Sequence, residues 1–235
     1  MNSVSAGRIF WLGFKRTLPF LTGVIPFGLL YSTIGTAAGF PWWLIMALSI
    51  IVFGGSSQLV FMDLLQSLGS PFQALLGSNI VNARHLIYSA GVSQEFSKYP
   101  KKWRLLLSYL LTDQLYAIAK ITTKEIQVFP ENKRPWFFFG SGFSTWIIWQ
   151  IACAVGGVAG TAIPDSWNLG FSIPLMFMPL IFSVSENKFA YLTCVMAAIL
   201  VYFLKTLPYG LGLLLAILLA STLGYFLQKN WKKRR

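Results

Sequence analysis

Three short polar runs interrupt the apolar stretches of this 235-residue chain. They span residues 54–58, 78–85 and 112–114. An ionisable side chain at the centre of an apolar membrane helix costs about 2.5–3.5 kcal/mol, so such residues face a protein interior and usually take part in function. The amides, hydroxyls, guanidinium, imidazole and carboxylate of these runs can together bind a polar solute and exchange a proton.

The second run contains the chain's one histidine, His85. At 100° per residue, an uninterrupted helix would place four hydrogen-bonding side chains on one face: Ser78, Asn82, His85 and Ser89. Arg84 lies on a different face, from which it could pair with Asp113 and neutralise both charges in an apolar interior. The alternatives are a structural histidine and an arginine that extends to the membrane surface.

Asp113, in the third run, is the carboxylate best placed for proton transfer. Burial disfavours the charged form of a carboxyl group, and a nearby cation favours it. An aspartate held between these two effects can take up and release a proton during a transport cycle. The alternative is a permanently ionised partner of Arg84.

The elements that position these runs must be apolar helices. The chain is 55% hydrophobic and 11% charged, whereas soluble domains carry about 25% charged residues. Residues 17–62, 135–164 and 206–228 contain no Asp, Glu, Lys, Arg or His. Because about 20 apolar residues cross a bilayer as a helix, these stretches predict membrane spans and exclude a soluble protein.

We therefore predict an all-α integral membrane protein, a single membrane domain with a bundle of about eight transmembrane helical segments, some broken or re-entrant. Gly54-Gly55-Ser56-Ser57 interrupts the second segment, and Pro174 and Pro179 interrupt the sixth. Broken helices at mid-membrane are typical of the binding sites of secondary transporters. The predicted segments lie near residues 17–39, 42–68, 72–92, 104–122, 136–162, 168–185, 189–204 and 208–228.

The net charge of +12 comes from clusters of Lys and Arg that flank apolar segments. This pattern is typical of the positive-inside rule rather than of nucleic-acid binding, and it favours cytoplasmic termini in contact with membrane lipids. With eight spans, most basic residues fall inside, but the cluster at residues 98–104 falls outside. If the second or third segment were re-entrant, that cluster would move inside and the number of spans would change.

Enzyme signatures are missing from the sequence. It has no HExxH, GxSxG, P-loop or CxxC motif, and one histidine cannot build a metal site alone. We therefore expect neither catalysis nor a cofactor. Without a nucleotide-binding module, any transport would be driven by a gradient.

The three polar runs, in this order and spacing, resemble the AzlC family of branched-chain amino acid exporters. The similarity rests on Phe53-Gly54-Gly55-Ser56-Ser57-Gln58, on residues 79–88 (NIVNARHLIY) and on Leu111-Thr112-Asp113. Chain length agrees, as does Gly13-Phe14-Lys15 ahead of Pro19. Beyond Pro135 the resemblance rests on length and hydropathy alone.

The resemblance implies export of valine, leucine, isoleucine and sometimes methionine across the bacterial inner membrane. It further implies the proton motive force as the driver and a small AzlD-type membrane subunit as partner. The candidate substrate-binding residues are Ser57, Gln58, Asn82, Arg84 and His85, with Asp113 for proton coupling. An exporter of another small amphipathic solute, and a channel or scaffold subunit, are the alternatives.

Two departures from the family pattern bear on these expectations. The family has Ala-Gly-Ala-Ser-Gln where this chain has Gly54-Gly55-Ser56-Ser57-Gln58, a change that could alter the shape of the pocket. An acid commonly follows the aspartate of the third run, but here the next residue is Gln114. A proton relay that needs two acids is therefore in doubt.

Overall fold

The computed structural model describes residues 5–68, 70–159, 188–204 and 211–233, which are helical without any strand. The chain divides into two compact units, Met1–Leu180 and Ile181–Arg235. The first contains α1 (Ala6–Thr17), α2 (Val24–Ala37), α3 (Trp42–Ile51), α4 (Gly55–Leu68), α5 (Pro71–Asn82), α6 (Arg84–Phe96), α7 (Lys101–Tyr109), α8 (Asp113–Ile121) and α9 (Arg134–Ala159). The second contains α10 (Lys188–Leu204) and α11 (Leu211–Lys233).

Three of the predicted segments are each divided into two helices. Segment 42–68 forms α3 and α4, segment 72–92 forms α5 and α6, and segment 104–122 forms α7 and α8. A short 3₁₀ helix, Leu18–Leu21, joins α1 to α2, and the sequence analysis did not predict α1. Segments 136–162, 189–204 and 208–228 correspond to α9, α10 and α11, and segment 168–185 lies outside the described residues.

One continuous helix within the described residues, Glu131–Ala159, is long and apolar enough to cross a membrane, with a mean hydropathy of 1.4. A second candidate is the pair Ala6–Leu21 and Val24–Ala37, which bends by 66° at its break. Eight spans are therefore not confirmed. The shortness of the helices follows from the polar runs, which end α3, α5 and α7 part-way along their apolar segments.

Helix α9 is the element against which α1 and α2 pack, and glycines make the crossings close. A Cβ atom at Gly13 would collide with the carbonyl oxygen of Phe137, and one at Gly140 with that of Phe10. Further along, a Cβ at Gly28 would lie 2.7 Å from the Cβ of Ala152. Small residues allow such backbone approach and increase dispersion contacts where lipid supplies no hydrophobic driving force.

Helices α3 and α4 form a hairpin that approaches from the Ala159 side of α9, and its first arm, α3, packs on α9. At the start of α3, Trp42 touches Gly157, where a Cβ would lie 2.7 Å from its ring. Near the end of α3, Ser49 donates a 2.9 Å hydrogen bond to Gln150, in the middle of α9. Helix α4 then returns, since Gln66 near its end bonds the carbonyl of Ala38, just after α2.

Helices α7 and α8 form a second hairpin, which approaches α9 from the opposite, Arg134 side. Trp103 of α7 packs on Trp136, with ring centroids 4.9 Å apart. The tip lies at residues 110–112, where a Cβ at Gly142 would be 2.7 Å from Leu110. After α8 the chain returns to Arg134, whose guanidinium bonds the carbonyl of Phe129 at 3.0 Å.

Helices α5 and α6 connect the two hairpins and run in the direction opposite to α9. Asn82, at the end of α5, lies beside Gly54, and Phe96, at the end of α6, packs on Phe138 with centroids 5.1 Å apart. The helix pair α1 and α2 is thus followed by the α3–α4 hairpin from the Ala159 side. The helix pair α5 and α6 is followed by the α7–α8 hairpin from the Arg134 side. This order of elements is the one expected of an inverted-topology repeat.

An ionic cluster fastens the end of α6 to the start of α9, outside the predicted spans. Glu95 accepts hydrogen bonds from Lys98, at 2.8 Å, and from the hydroxyl of Tyr99, and it lies 3.8 Å from Arg134. Burial opposes ionisation of Glu95, but these hydrogen bonds and charges outweigh it and lower its pKa below the ordinary value of 4.5. The ionised Glu95 carboxylate therefore contributes its full stabilisation of the fold above the ordinary pKa of 4.5. That contribution to the free energy of unfolding is lost as the pH falls through the lowered pKa.

Candidate substrate and proton site

Four helices of the described part of the chain begin around one cavity. Its wall includes the first residue of each, namely Val24 of α2, Gly55 of α4, Arg84 of α6 and Asp113 of α8. Thr145 and Trp149, in the middle of α9, complete the wall on the remaining side. The polar runs are thus the breaks between helices, and the fold brings all three runs together.

The convergence of these helix starts gives the cavity a positive electrostatic character. Each helix N-terminus carries unsatisfied N–H groups and an effective charge of about +0.5. The residues that precede α2, α6 and α8, which are Gly23, Ala83 and Thr112, make no side-chain cap to the first turn. Such ends favour an anion, most simply a carboxylate or phosphate oxygen.

Arg84 and Asp113 face each other in this wall, as the sequence analysis anticipated. Nη1 of Arg84 lies 3.8 Å from Oδ2 of Asp113, with 24% and 7% of the two side chains exposed. That separation is an ion pair but exceeds an ordinary hydrogen bond. Within the described residues Oδ1 of Asp113 has no hydrogen-bond partner of ordinary geometry, although the Tyr88 hydroxyl lies close enough to interact with the carboxylate. The pair therefore keeps bonding capacity for a ligand or a proton.

Ser57 and Gln58, both predicted to bind substrate, are used by the break between α3 and α4. Gln58 is 1% exposed and its Oε1 accepts the backbone N–H of Gly54 at 3.1 Å. Ser57 is fully buried and donates a 2.7 Å hydrogen bond to the carbonyl of Gly54. Phe53 adopts a φ of 46°, the left-handed conformation that non-glycine residues rarely take. These two side chains stabilise the tip, and their role as substrate ligands stays a prediction.

The glycines of this tip leave no room for a side chain. A Cβ at Gly55 would lie 2.6 Å from the rings of both Phe27 and Trp149, and one at Gly54 would lie 2.9 Å from Oδ1 of Asn82. The departure from the family pattern at position 54 therefore falls where the tip touches the end of α5. Gly55 lets two aromatic rings close over the cavity wall.

Asn82 and His85 lie at the break between α5 and α6. His85 belongs to the cavity wall, and its Nδ1 is 3.1 Å from the carbonyl oxygen of Asn82. Asn82 instead borders a neighbouring recess, shared with His85, Phe53 and Tyr109. The predicted hydrogen-bonding face required an uninterrupted helix; the interruption at Ala83 breaks it, so that Ser78 is buried and Ser89 is exposed.

The sequence analysis missed the contribution of α9. Thr145 is 2% and Trp149 4% exposed, and neither Oγ1 of Thr145 nor Nε1 of Trp149 has a hydrogen-bond partner among the described residues. The available signal was the spacing of four from Ser141 through Thr145 to Trp149, which places them on one helix face. Scattered hydroxyl residues in an apolar helix were too weak an indication by themselves.

The family model described as AzlC protein matches residues 19–163, more than half of the chain. The chain belongs to the AzlC family. The match covers every helix that contributes to the cavity, from α2 to α9, and it extends past Pro135, where the motifs in the sequence ended.

Relatives within the AzlC family are named as membrane or transport proteins. The chain is 27% identical to the inner membrane protein YgaZ of Escherichia coli over 199 residues, 81% of this chain and 78% of that protein. It is 25% identical to the branched-chain amino acid transport protein AzlC of Bacillus subtilis over 166 residues, 70% of this chain and 63% of that protein. An uncharacterized membrane protein of Archaeoglobus fulgidus is 26% identical over 77% of this chain and 78% of its own length.

No solved structure matches the chain. The names of its AzlC-family relatives point to a transporter rather than an enzyme. Among the described residues no three His, Cys, Asp or Glu lie close enough to hold a metal ion. The helix starts, hydroxyls and buried ion pair of this site are groups that can bind a polar solute.

Proposed function

We propose that this protein is the large subunit of a secondary-active exporter of branched-chain amino acids, driven by the proton motive force. The transported amino acids are valine, leucine and isoleucine, with methionine as a further candidate. The single observation that carries the proposal is the cavity at which α2, α4, α6 and α8 begin around the buried Arg84–Asp113 pair. The name of the Bacillus subtilis relative, a branched-chain amino acid transport protein, supports the substrate class.

The cavity complements each part of an amino acid zwitterion. Helix starts and Arg84 supply positive charge for the carboxylate. Oδ1 of Asp113, which has no hydrogen-bond partner of ordinary geometry among the described residues, supplies an acceptor for the ammonium. Val24, Phe27 and Phe53 supply an apolar wall for a branched side chain. A solute without all three features leaves part of this wall unsatisfied.

The described conformation is contracted around this site. The space open to the centre of a water-sized sphere is about 40 Å³, room for roughly three waters. A branched-chain amino acid has more non-hydrogen atoms than these three waters and does not fit. Its binding therefore requires the hairpin tips to move apart. Movement of one hairpin at a time would open the site to one side of the membrane, as alternating access requires.

Proton coupling is assigned to Asp113, with Arg84 and His85 beside it. Asp113 is 5% exposed, and the Arg84 cation that lies 3.8 Å away balances its charge. Arrival of a substrate ammonium and arrival of a proton both change that balance. Competition between the two for one carboxylate would couple amino acid movement to the proton gradient.

We assign the Arg134 end of α9 to the cytoplasm. Between residues 5 and 159 every Lys and Arg except Arg84 lies on helices or loops at that end, from Arg16, which pairs with Glu125, to Arg134. With α3–α4 and α7–α8 as re-entrant hairpins, the cluster at residues 98–104 moves inside, and the positive-inside rule is satisfied. Both termini are proposed to be cytoplasmic, in a bacterial inner membrane.

A small AzlD-type membrane subunit is the proposed partner, on the strength of the family resemblance. The test is counterflow of labelled valine, leucine and isoleucine in proteoliposomes, with and without that subunit, under an imposed pH gradient. Saturable exchange that needs both subunits and follows the gradient is expected. Non-saturable conductance would instead favour a channel, and absence of flux from folded protein would refute the proposed substrates.

A further inference from the structure

Two buried hydroxyl groups in the cavity wall are donors without a partner. Oγ1 of Thr145 and Oγ1 of Thr112 belong to residues that are 2% and 9% exposed, and neither makes a hydrogen bond within the described part of the chain. Buried hydroxyls are normally satisfied, because an unsatisfied one destabilises the folded state. Their presence at the cavity indicates a ligand that accepts hydrogen bonds.

Thr145 differs from three other buried or half-buried threonines of this structure and shares its lack of a partner with Thr33 of α2, which lies outside the cavity wall. Thr17, Thr36 and Thr122 each donate to the carbonyl four residues earlier, at 3.0, 2.9 and 2.6 Å. The equivalent carbonyl for Thr145 is that of Ser141, which accepts the hydroxyl of Ser144 instead. The Thr145 hydroxyl is therefore left for the cavity.

Thr112 shows the same feature at the start of α8. It is the residue immediately before the first turn, the position from which threonine usually caps the helix, but its side chain makes no such bond. The N–H groups of that turn and both hydroxyls thus contribute donors to one cavity wall. Oδ1 of Asp113, which has no hydrogen-bond partner of ordinary geometry among the described residues although the Tyr88 hydroxyl lies nearby, is an acceptor in this wall.

We propose that Thr145 and Thr112 bind the carboxylate of an amino acid substrate, while Asp113 binds its ammonium. The inference rests on the proposed function and adds the recognition rule of the site. The protein binds the two charged groups that all α-amino acids share. It distinguishes one amino acid from another only by the fit of the side chain to the apolar wall. It discriminates against an amine that lacks the carboxylate and against an acid that lacks the ammonium.

The test compares ligand binding by the wild-type chain and by Thr145→Val, both reconstituted as for counterflow. Valine has the shape of threonine without the hydroxyl. A hydrogen bond to a charged group is usually worth enough to weaken leucine binding by about 10- to 100-fold when it is lost. The matched control is Thr122→Val, which removes an equally buried hydroxyl outside the cavity wall and should leave leucine affinity within about twofold.

Three competitors identify which charged group of leucine the site binds. Leucinamide and 3-methylbutylamine lack the carboxylate, and 4-methylpentanoate lacks the ammonium. The wild type should bind leucine more tightly than all three competitors. In Thr145→Val the ratio of the affinity for leucine to the affinity for leucinamide should be smaller than in the wild type. Thr145→Ser, which keeps the hydroxyl, should retain most of the affinity. In the ligand-free state Thr145→Val should melt at the wild-type temperature or above it, because an unsatisfied hydroxyl has been removed.

Unchanged leucine affinity in Thr145→Val would overturn the inference. So would equal losses for leucine and leucinamide together with a lowered melting temperature, since these indicate a structural role. Both results leave the proposed function intact, because wild-type binding is measured in the same series. If the wild type binds none of the branched-chain amino acids, the proposed function fails first and the inference fails with it.

Discussion

Asp113 and Arg84 form a pair of opposite charges that is held apart rather than closed. At 3.8 Å the two groups attract each other without sharing a good hydrogen bond. A tightly bonded buried pair would be a fixed structural feature, whereas the 3.8 Å separation leaves both groups with bonding capacity for the proposed substrate and proton. Removing either member alone leaves the other charge poorly compensated in a low-dielectric interior.

The first prediction concerns Asp113→Asn. This substitution should leave the protein in the membrane but abolish the response of efflux to an imposed pH gradient, because the amide cannot be protonated in this range. Leucine exchange should also weaken if the same group holds the ammonium, so the gradient response is measured at saturating leucine. Adding Arg84→Gln should restore part of the stability lost by the single substitution, without restoring coupling.

The matched control is Asp63→Asn, since Asp63 is exposed on α4 and away from the pair. It should transport as the wild type does. Normal gradient-driven efflux from Asp113→Asn would remove Asp113 from the mechanism and leave the ion pair with a purely structural role.

At the scale of elements, the breaks between helices position the site. The tip between α3 and α4 is stabilised by Gln58, which replaces the missing helical partner of the Gly54 N–H group. Gln150 holds the same hairpin to α9, because its amide both accepts from and donates to Ser49, at 2.9 and 3.2 Å. At this hairpin the N–H of Gly54 and the carbonyl of Ser49 are thus satisfied locally, as an apolar environment demands.

The second prediction separates a structural from a ligand-binding role for Gln58. Gln58→Met keeps the length of the side chain but removes the acceptor, so the buried N–H of Gly54 loses its partner. The free energy of unfolding should fall by about 1–2 kcal/mol, measured as a lower melting temperature, while the KM for leucine changes little.

Gln73→Met, on the exposed surface of α5, is the control and should change neither quantity. A tenfold rise in KM for Gln58→Met at unchanged melting temperature would instead identify Gln58 as a substrate ligand, the role that the sequence suggested.

At the scale of the molecule, the sequence predicted the helical class, the position of α9 and the convergence of polar runs, including the proximity of Arg84 to Asp113. These follow from hydropathy and from the cost of isolated buried charge. The sequence analysis allowed for broken or re-entrant segments and named the second or third segment as the re-entrant alternative. Composition could not decide between these topologies, because an apolar segment that turns back has the same composition as one that crosses. Thr145 was missed because a lone threonine in an apolar helix is ordinary unless its hydrogen bonds are known.

The two topologies differ at two loops, which makes the orientation testable. With eight spans the loop at Ser70 is cytoplasmic and the loop at Ser97 is external. With re-entrant hairpins the assignments are exchanged, because segment 42–68 returns to the side from which it enters. The loops near Ala37 and Thr123 lie outside and inside in both topologies, so they serve as controls.

The third prediction is made for single cysteines at these four positions, in a background in which Cys153 and Cys194 are replaced by serine. A membrane-impermeant maleimide applied to intact cells should label Ala37→Cys and Ser70→Cys. Ser97→Cys and Thr123→Cys should react only after permeabilisation, since the basic residues around them favour the cytoplasm. Labelling of Ser97→Cys but not Ser70→Cys from outside would establish eight spans and exclude the re-entrant hairpins. That result would also refute the inverted repeat and the proposal that each hairpin tip opens the site to one side of the membrane.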